Sequence, residues 1–246
     1  MALTIDTSTY LLVLTGAGIS AESGIPTFRD AGGLWEGHDV QEVASPDGFR
    51  IDPLRVWKFY SQRRAGMVGV VPNAGHRALV DIEQRLGDRF LLVTQNVDGL
   101  HTAAGSKRVV EMHGNLMRSR CTVCDRPPFP DATAYREGLA PMCGLCKRTG
   151  TDALLRPDIV WFGEMIPRDA LARLDEFILE ARANLRFLAV GTSGLVYPAA
   201  GLVDVVRNHG GRSWLVNAER PANVTQFDEV AIGSAGTLLP QLFAQP

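Results

Sequence analysis

The apolar residues of this chain fall into two kinds of segment. Short unbroken runs, several rich in β-branched side chains, alternate with longer stretches whose apolar positions recur at helical spacing. Unbroken runs suit strands buried on both faces, and spacing near 3.6 suits helices packed over them. The runs predict strands over Tyr10–Thr15, Phe90–Thr94, 108–112, 159–162, 187–190 and 213–217. The helical periodicity predicts helices over 55–67, 74–86, 168–183 and 199–208. Together they describe an α/β fold with a parallel sheet and helical crossovers. Residues 31–71, rich in Gly and Pro with one helix-like piece, do not fit that alternation and read as an inserted helical cap.

The only four cysteines stand at Cys121, Cys124, Cys143 and Cys146, two Cys-x-x-Cys knuckles. Each knuckle turns two thiolates toward one point, and the intervening loop lets the chain close a tetrahedron around zinc. Four thiolates fill every coordination position, which leaves none for an activated water and assigns the metal a structural task. With the cap, this second insertion (118–154) is expected to form a small unit of two excursions, 34–71 and 118–154. The remainder, 1–33, 72–117 and 155–246, is expected to form the large one.

Composition narrows the class. At 246 residues and 46% hydrophobic content the chain can bury a sizeable core. A net charge of -2 gives no electrostatic footprint for nucleic acid, and Arg126, Arg136, Lys147 and Arg148 make the zinc loop only mildly basic. The apolar run at 11–14 is too short for a signal h-region or a membrane span, and no basic region precedes it. A cytoplasmic setting with reduced thiols is expected. No membrane partner is expected, and nothing requires an oligomer.

The first predicted strand runs into Gly16-Ala17-Gly18-Ile19-Ser20-Ala21, the G-x-G-x-x-G/A pattern that lays a pyrophosphate on a helix start. A glycine-rich turn reads the same way, so the pattern alone is not decisive. A dehydrogenase would place a ribose-binding acid about twenty residues on, at a second strand's end. Glu36 and Asp39 have the distance but follow no strand, whereas 213–216 runs into Asn217-Ala218-Glu219. Other polar clusters end strands too: Gln95, Asn96 and Asp98; His113; and Thr192 with Ser193. His113 differs from His38, His76, His101 and His209 in closing a predicted strand with Gly114 behind it, where an imidazole has room to take a proton near neutral pH.

These segments resemble the sirtuin family across nearly the whole chain and in the family's order. The resemblance is carried by Gly16-Ala17-Gly18-Ile19-Ser20, Gly24-Ile25-Pro26-Thr27-Phe28-Arg29, Thr94-Gln95-Asn96-Val97-Asp98-Gly99-Leu100-His101, His113-Gly114, the cysteines, Phe162-Gly163-Glu164, Gly191-Thr192-Ser193 and Asn217-Ala218-Glu219. It implies a Rossmann-type large domain, a small domain of helices plus one structural zinc, and NAD-dependent removal of acyl groups from protein lysines. NAD would be consumed as a co-substrate. By that resemblance Gly16, Ala17, Gly18, Ser20 and Ala21 hold the pyrophosphate, and Thr27, Phe28, Arg29 and Trp35 contact the cofactor from a closing segment. Gln95, Asn96, Val97 and Asp98 contact the nicotinamide half. Gly191, Thr192, Ser193, Asn217, Ala218, Glu219 and Ala235 contact the adenosine half.

His113 is implied as the general base. The acyl oxygen attacks the nicotinamide ribose as nicotinamide leaves, and the imidazole then deprotonates a ribose hydroxyl so that the acyl group migrates. The acylated lysine is implied to enter as an added strand between Val160, Phe162, Gly163 and Glu164 on one side and Gly194, Leu195 and Val196 on the other.

Tyr60 and Arg63, three apart, share a face of the predicted helix over 55–67. Spacing alone reads Arg63 and Arg64 as a solvated basic face. The resemblance points instead to the branch that removes succinyl and malonyl groups, where a Tyr-x-x-Arg pair meets the distal carboxylate and a small residue upstream, here Ala44, leaves room for it. Acetyl groups are expected substrates as well. Three rival readings remain at this stage: mono-ADP-ribosyl transfer at the same site, an NAD-dependent oxidoreductase, and a zinc-ribbon adaptor without catalysis.

Overall fold

The computed structural model describes residues 3–26, 34–35, 37–192 and 201–244. In chain order its elements begin with β1 (Tyr10–Thr15), the short hairpin β2 (Leu34–Trp35) and β3 (His38–Asp39), and helices α1 (Val40–Val43), α2 (Pro46–Ile51), α3 (Pro53–Gly66) and α4 (Ala74–Leu86). Then come β4 (Phe90–Thr94), α5 (Leu100–Ala104), β5 (Val109–Glu111), β6 (Gly114–Cys121), β7 (Phe129–Pro130), α6 (Gly144–Arg148) and β8 (Leu155–Ile159). The chain finishes with α7 (Arg168–Ala181), β9 (Leu185–Val190), α8 (Leu202–Asn208), β10 (Arg212–Asn217), β11 (Glu229–Ile232) and α9 (Ala235–Phe243).

Six strands form one parallel sheet in the order β11-β10-β9-β1-β4-β5. The apolar run of β1 is split between its two faces. Leu12 and Leu14 pack with Phe177 and Ile178 of α7 and Val203 and Val206 of α8. Leu11 and Val13 pack with Leu79 and Ile82 of α4 and Leu239 and Leu242 of α9. Burial on both faces is why the run lacks the alternation of a half-exposed strand. Strands follow β1 outward in one direction through β4 and β5 and in the other through β9, β10 and β11. The order therefore reverses between β1 and β9, where a parallel α/β sheet opens a crevice at its carboxyl edge.

A separate antiparallel sheet, β7-β6-β8, lies with α1, α2 and α3 around a third apolar cluster that includes Val43, Trp57, Phe59, Tyr60, Leu155 and Trp161. This sheet corrects one expectation. The predicted parallel strand at 159–162 is instead β8, residues Leu155–Ile159, running antiparallel to β6. Beyond Val160 the chain turns: the Glu164 N–H donates to the Trp161 carbonyl at 2.9 Å, and the Trp161 N–H donates to the Glu164 carboxylate at 2.9 Å. That turn withdraws residues 161–164 from any ladder.

Arg64 corrects a second reading. It is 2% exposed, not a solvated cation. Its guanidinium donates to the carbonyls of Leu116, Arg118 and Thr133, to Ser119 Oγ and to Asp131 Oδ2. These bonds tie α3 to β6 and the loop after β7. Burial pushes the Asp131 carboxyl up, but the Ser119 hydroxyl and the Arg64 charge outweigh it and hold the group below the ordinary carboxylate value. Removing one partner of such a pair leaves the other charge uncompensated. Arg64→Met is expected to cost about 3 kcal/mol of stability in denaturant melts, and Arg64→Lys to recover little of it because an ammonium cannot reproduce the planar fork.

Candidate active site at the carboxyl edge of the sheet

Register builds the site. Thr15 is level with Thr94 on one side and Val190 on the other, Val190 with Val216, and Asn217 with Ile232. The residues after those strand ends therefore stand in a row: Gln95, Gly16, Gly191, and the turn after Asn217. Gly16 and Gly18 lie against Gly191 so closely that no side chain fits. A Cβ on Gly18 would sit 2.6 Å from the Gly191 Cα, and one on Gly191 would sit 2.4 Å from the Ile19 nitrogen. Gly191 also has φ +59, a conformation glycine adopts without strain. The Gly18 N–H donates to the Gly191 carbonyl at 2.8 Å. The helix that follows Gly16 is a 3₁₀ helix, Ala17–Ser23.

Beside this contact a narrow cleft of about 50 Å³ is lined by Gly18, Ala21, Asn217, Ala218 and Ala235, with Glu22, Gly233 and Ser234. The first five were predicted as cofactor contacts. Glu22 was not: its carboxylate accepts the Gly236 N–H at 2.7 Å, joining the glycine-rich loop to the start of α9. Nothing in its sequence position marks that role, because its partner is far along the chain.

On the other side of Gly16 the polar residues form one network. Asn96 Nδ2 donates to the Gly16 carbonyl at 3.0 Å, and the Ser20 hydroxyl donates to Asp98 Oδ2 at 2.7 Å. Asp98 also accepts the Leu100 N–H at 2.8 Å, but burial dominates and raises its carboxyl above the ordinary value. Gln95 Nε2 donates to Thr192 Oγ1 at 3.0 Å, bridging the ends of β4 and β9. Val97 sits in the same loop, and its carbonyl accepts the Leu116 N–H.

His113 lies between β5 and β6. Its Nδ1 is 3.0 Å from the Gln95 carbonyl oxygen. A carbonyl only accepts, so Nδ1 carries the proton and Nε2 keeps the basic lone pair. Burial lowers the imidazole's pKa below its ordinary value, against a smaller opposite effect of that hydrogen bond. Gly114 lets the chain pass behind the ring: its φ is +82, and a Cβ there would lie 2.0 Å from the Asp158 carbonyl oxygen.

His76 and His101, from which the strand-end position distinguishes His113, are also part of this region. His101 Nε2 lies 2.9 Å from Thr15 Oγ1, which donates to Thr94 Oγ1, which in turn accepts the Asn96 N–H. The His76 and His101 rings stand 4.8 Å apart, both buried. Burial pulls their pKa values down to about 4 and about 3.

Tyr60 is fully buried, and its hydroxyl accepts the Trp161 indole N–H at 2.9 Å. The Arg63 guanidinium packs over the rings of Trp35 and Phe59 at 4.2 and 4.1 Å. The Ala44 carbonyl accepts the Phe162 N–H at 2.9 Å, so the small residue upstream stands against the segment holding Val160, Phe162, Gly163 and Glu164. Thr27, Phe28, Arg29, Ser193, Gly194, Leu195 and Val196 lie outside the described residues.

The four cysteine sulfurs lie within 4.8 Å of one another, with Cys121 to Cys146 at 3.6 Å and Cys124 to Cys143 at 3.9 Å. A tetrahedron with zinc–sulfur bonds of about 2.3 Å has edges of about 3.8 Å, so the set fits that ion.

Residues 16–198 match the model of the Sir2 family. The chain belongs to the Sir2 family. An NAD-dependent protein deacylase of Thermococcus kodakarensis is 44% identical to this Sir2 chain over 239 residues, 95% of this chain and 89% of that protein. Among solved structures, a Sir2 homolog–NAD complex matches with a TM-score of 0.85 and 38% identity, covering 99% of this chain and 94% of the other. A Sir2 protein bound to an acetylated peptide matches with a TM-score of 0.78 and 28% identity, over 96% and 92% of the two chains. The parallel sheet and the small domain with its zinc-binding cysteine cluster accord with that membership.

Two outcomes follow. Cys146→Ala should release zinc in metal analysis and speed hydrogen exchange at the amides of β6 and β8, while the parallel sheet stays protected; unchanged exchange would reduce the metal to a minor role. Because His76 and His101 fold with pKa values below the unfolded 6.5, the unfolded chain takes up protons first on acidification. Stability is therefore full above pH 6.5 and falls toward pH 4, and His76→Gln should flatten that fall in thermal melts.

Proposed function

We propose that this Sir2 chain, an NAD-dependent deacylase of protein lysines, acts on acyl groups that end in a carboxylate, succinyl and malonyl, alongside acetyl. The observation behind the choice is Tyr60. Its hydroxyl accepts from Trp161, and no acceptor among the described residues takes the phenol's own proton. A buried donor left unspent is costly, and an acid arriving at it removes that cost. Burial raises the phenol's pKa, with the Trp161 hydrogen bond and the Arg63 charge acting weakly against it, so the group remains a donor at any physiological pH. Arg63 stands one helical turn away and supplies the positive charge. The Ala44 backbone meets Phe162, and its methyl leaves space that a larger side chain would take.

His113 is proposed as the general base. Gln95 holds its Nδ1–H, so Nε2 faces the reaction, and the lowered pKa keeps the ring neutral. NAD supplies the ribose carbon that accepts the acyl oxygen as nicotinamide departs. Gly16, Gly18, Asn217 and Ala235 are proposed to hold its diphosphate and adenosine half, and Asn96 and Asp98 to orient polar groups where charge develops. The division into a large body of 1–33, 72–117 and 155–246 and a small body of 34–71 and 118–154 is proposed on the separate sheets and apolar clusters. No helix among the described residues is long and apolar enough to cross a membrane. A cytoplasmic location is proposed because the cysteines cluster for a metal, a use that needs reduced thiols.

The test is incubation with NAD and peptides of one sequence bearing acetyl-, malonyl- or succinyl-lysine, following peptide mass and free nicotinamide. Nicotinamide release without NADH absorbance separates deacylation from hydride transfer. Arg63→Met is expected to lower desuccinylation about a hundred-fold more than deacetylation, since an acetyl group offers no carboxylate; equal losses would sink the acidic-acyl reading. A neutral base persists down to its folded pKa, so kcat/KM should hold steady at pH 6.5 to 8 and decline only below the ordinary imidazole value of 6.5. A limb centred above 7 would remove His113 from the role, as would an active His113→Ala protein.

A further inference from the structure

We infer that Trp161 is a positioning residue for acyl selection: its indole N–H fixes the direction in which the Tyr60 phenol donates. The inference deepens the reading of Tyr60 and Arg63 as partners of the acyl carboxylate and rests on it. An indole nitrogen only donates. At 2.9 Å from the Tyr60 oxygen it occupies one side of that oxygen, so the phenol's proton is turned away from Trp161. The hydroxyl is thereby converted from a rotor that could accept or donate into a donor of set direction.

The indole is itself held. Trp161 is 2% exposed. The Arg156 guanidinium lies over its ring, 3.3 Å from the centroid, and the Phe49 ring stands 5.3 Å away. Arg156 is fixed by two hydrogen bonds to Glu164, at 2.6 and 2.9 Å, and Glu164 also accepts the Trp161 backbone N–H. One carboxylate thus anchors both the backbone of Trp161 and the cation on its face. Trp161 also lies in the middle of the segment 160–164 proposed to pair with the substrate. The residue that orients the acyl-end donor is thus part of the segment proposed to meet the peptide.

The experiment compares acetyl- and succinyl-lysine peptides of one sequence, with kcat and KM read separately. Trp161→Phe is expected to lower the ratio of desuccinylation to deacetylation kcat/KM about five-fold, the loss of one buried hydrogen bond, and to do so through the succinyl KM. In a Tyr60→Phe background the same change should leave the ratio where Tyr60→Phe alone puts it. The benzothienyl analogue of tryptophan at position 161, which replaces only the N–H, should reproduce the effect without loss of packing. An equal fall for both peptides, or a selective fall undiminished in the Tyr60→Phe background, would overturn the inference. If Tyr60→Phe and Arg63→Met are themselves unselective, the acidic-acyl reading fails; if they are selective and the Trp161 variants are not, only the role of Trp161 falls.

Discussion

The contact of Gly16 and Gly18 with Gly191 is the constraint on which the site depends. Two loops leave neighbouring strands at the point where the strand order reverses, and they meet backbone to backbone with no room for a Cβ on either side. Everything polar nearby is placed by that approach. Asn96 reaches the Gly16 carbonyl, Gln95 reaches Thr192, and the cleft toward Asn217 opens on the far side. A side chain at any of these glycines would separate the two loops and spoil the row of strand ends that the register sets up.

His113, the proposed base, is arranged by the same framework. Gln95 uses its side chain to tie two strand ends and its carbonyl to hold the His113 imidazole. The tautomer is therefore chosen by the sheet before any ligand arrives, which is the preorganisation that proton transfer requires. The small antiparallel sheet has a different economy. Its interior contains charged and polar groups, Arg64 with Asp131 and Ser119, and Arg156 with Glu164, each held by several hydrogen bonds, although the buried Nε of Arg156 has no partner among the described residues.

That difference explains what the sequence revealed. The β1 and β4 runs, Tyr10–Thr15 and Phe90–Thr94, are buried on both faces, and their boundaries could be read directly. β6 could not, because its residues Gly114–Cys121 include Arg118 and Arg120 and a buried Ser119; its ladders to β7 and β8 are accompanied by Arg118 bonding Glu111 and Asp158 rather than by an unbroken apolar run. α9 contains Pro240, which hides it from helical periodicity. The glycine-rich loop, His113 and the cysteines were legible because their chemistry lies in short spacings. Glu22, His76 and His101 were not, since each acquires its partners through tertiary contact alone.

The segment 160–164 has a further property. Val160 gives its N–H to the His113 carbonyl, Trp161 to the Glu164 carboxylate, Phe162 to the Ala44 carbonyl, and Glu164 to the Trp161 carbonyl. A segment with those donors already committed offers a neighbour chiefly its carbonyl oxygens. A peptide lying along it in the proposed β-augmentation would have to bring the N–H groups itself, so a proline or an N-methylated residue flanking the modified lysine would remove donors from that side of the pairing. On that proposed pairing the segment would select on the backbone of the peptide as well as on the group carried by the lysine, without any side-chain recognition.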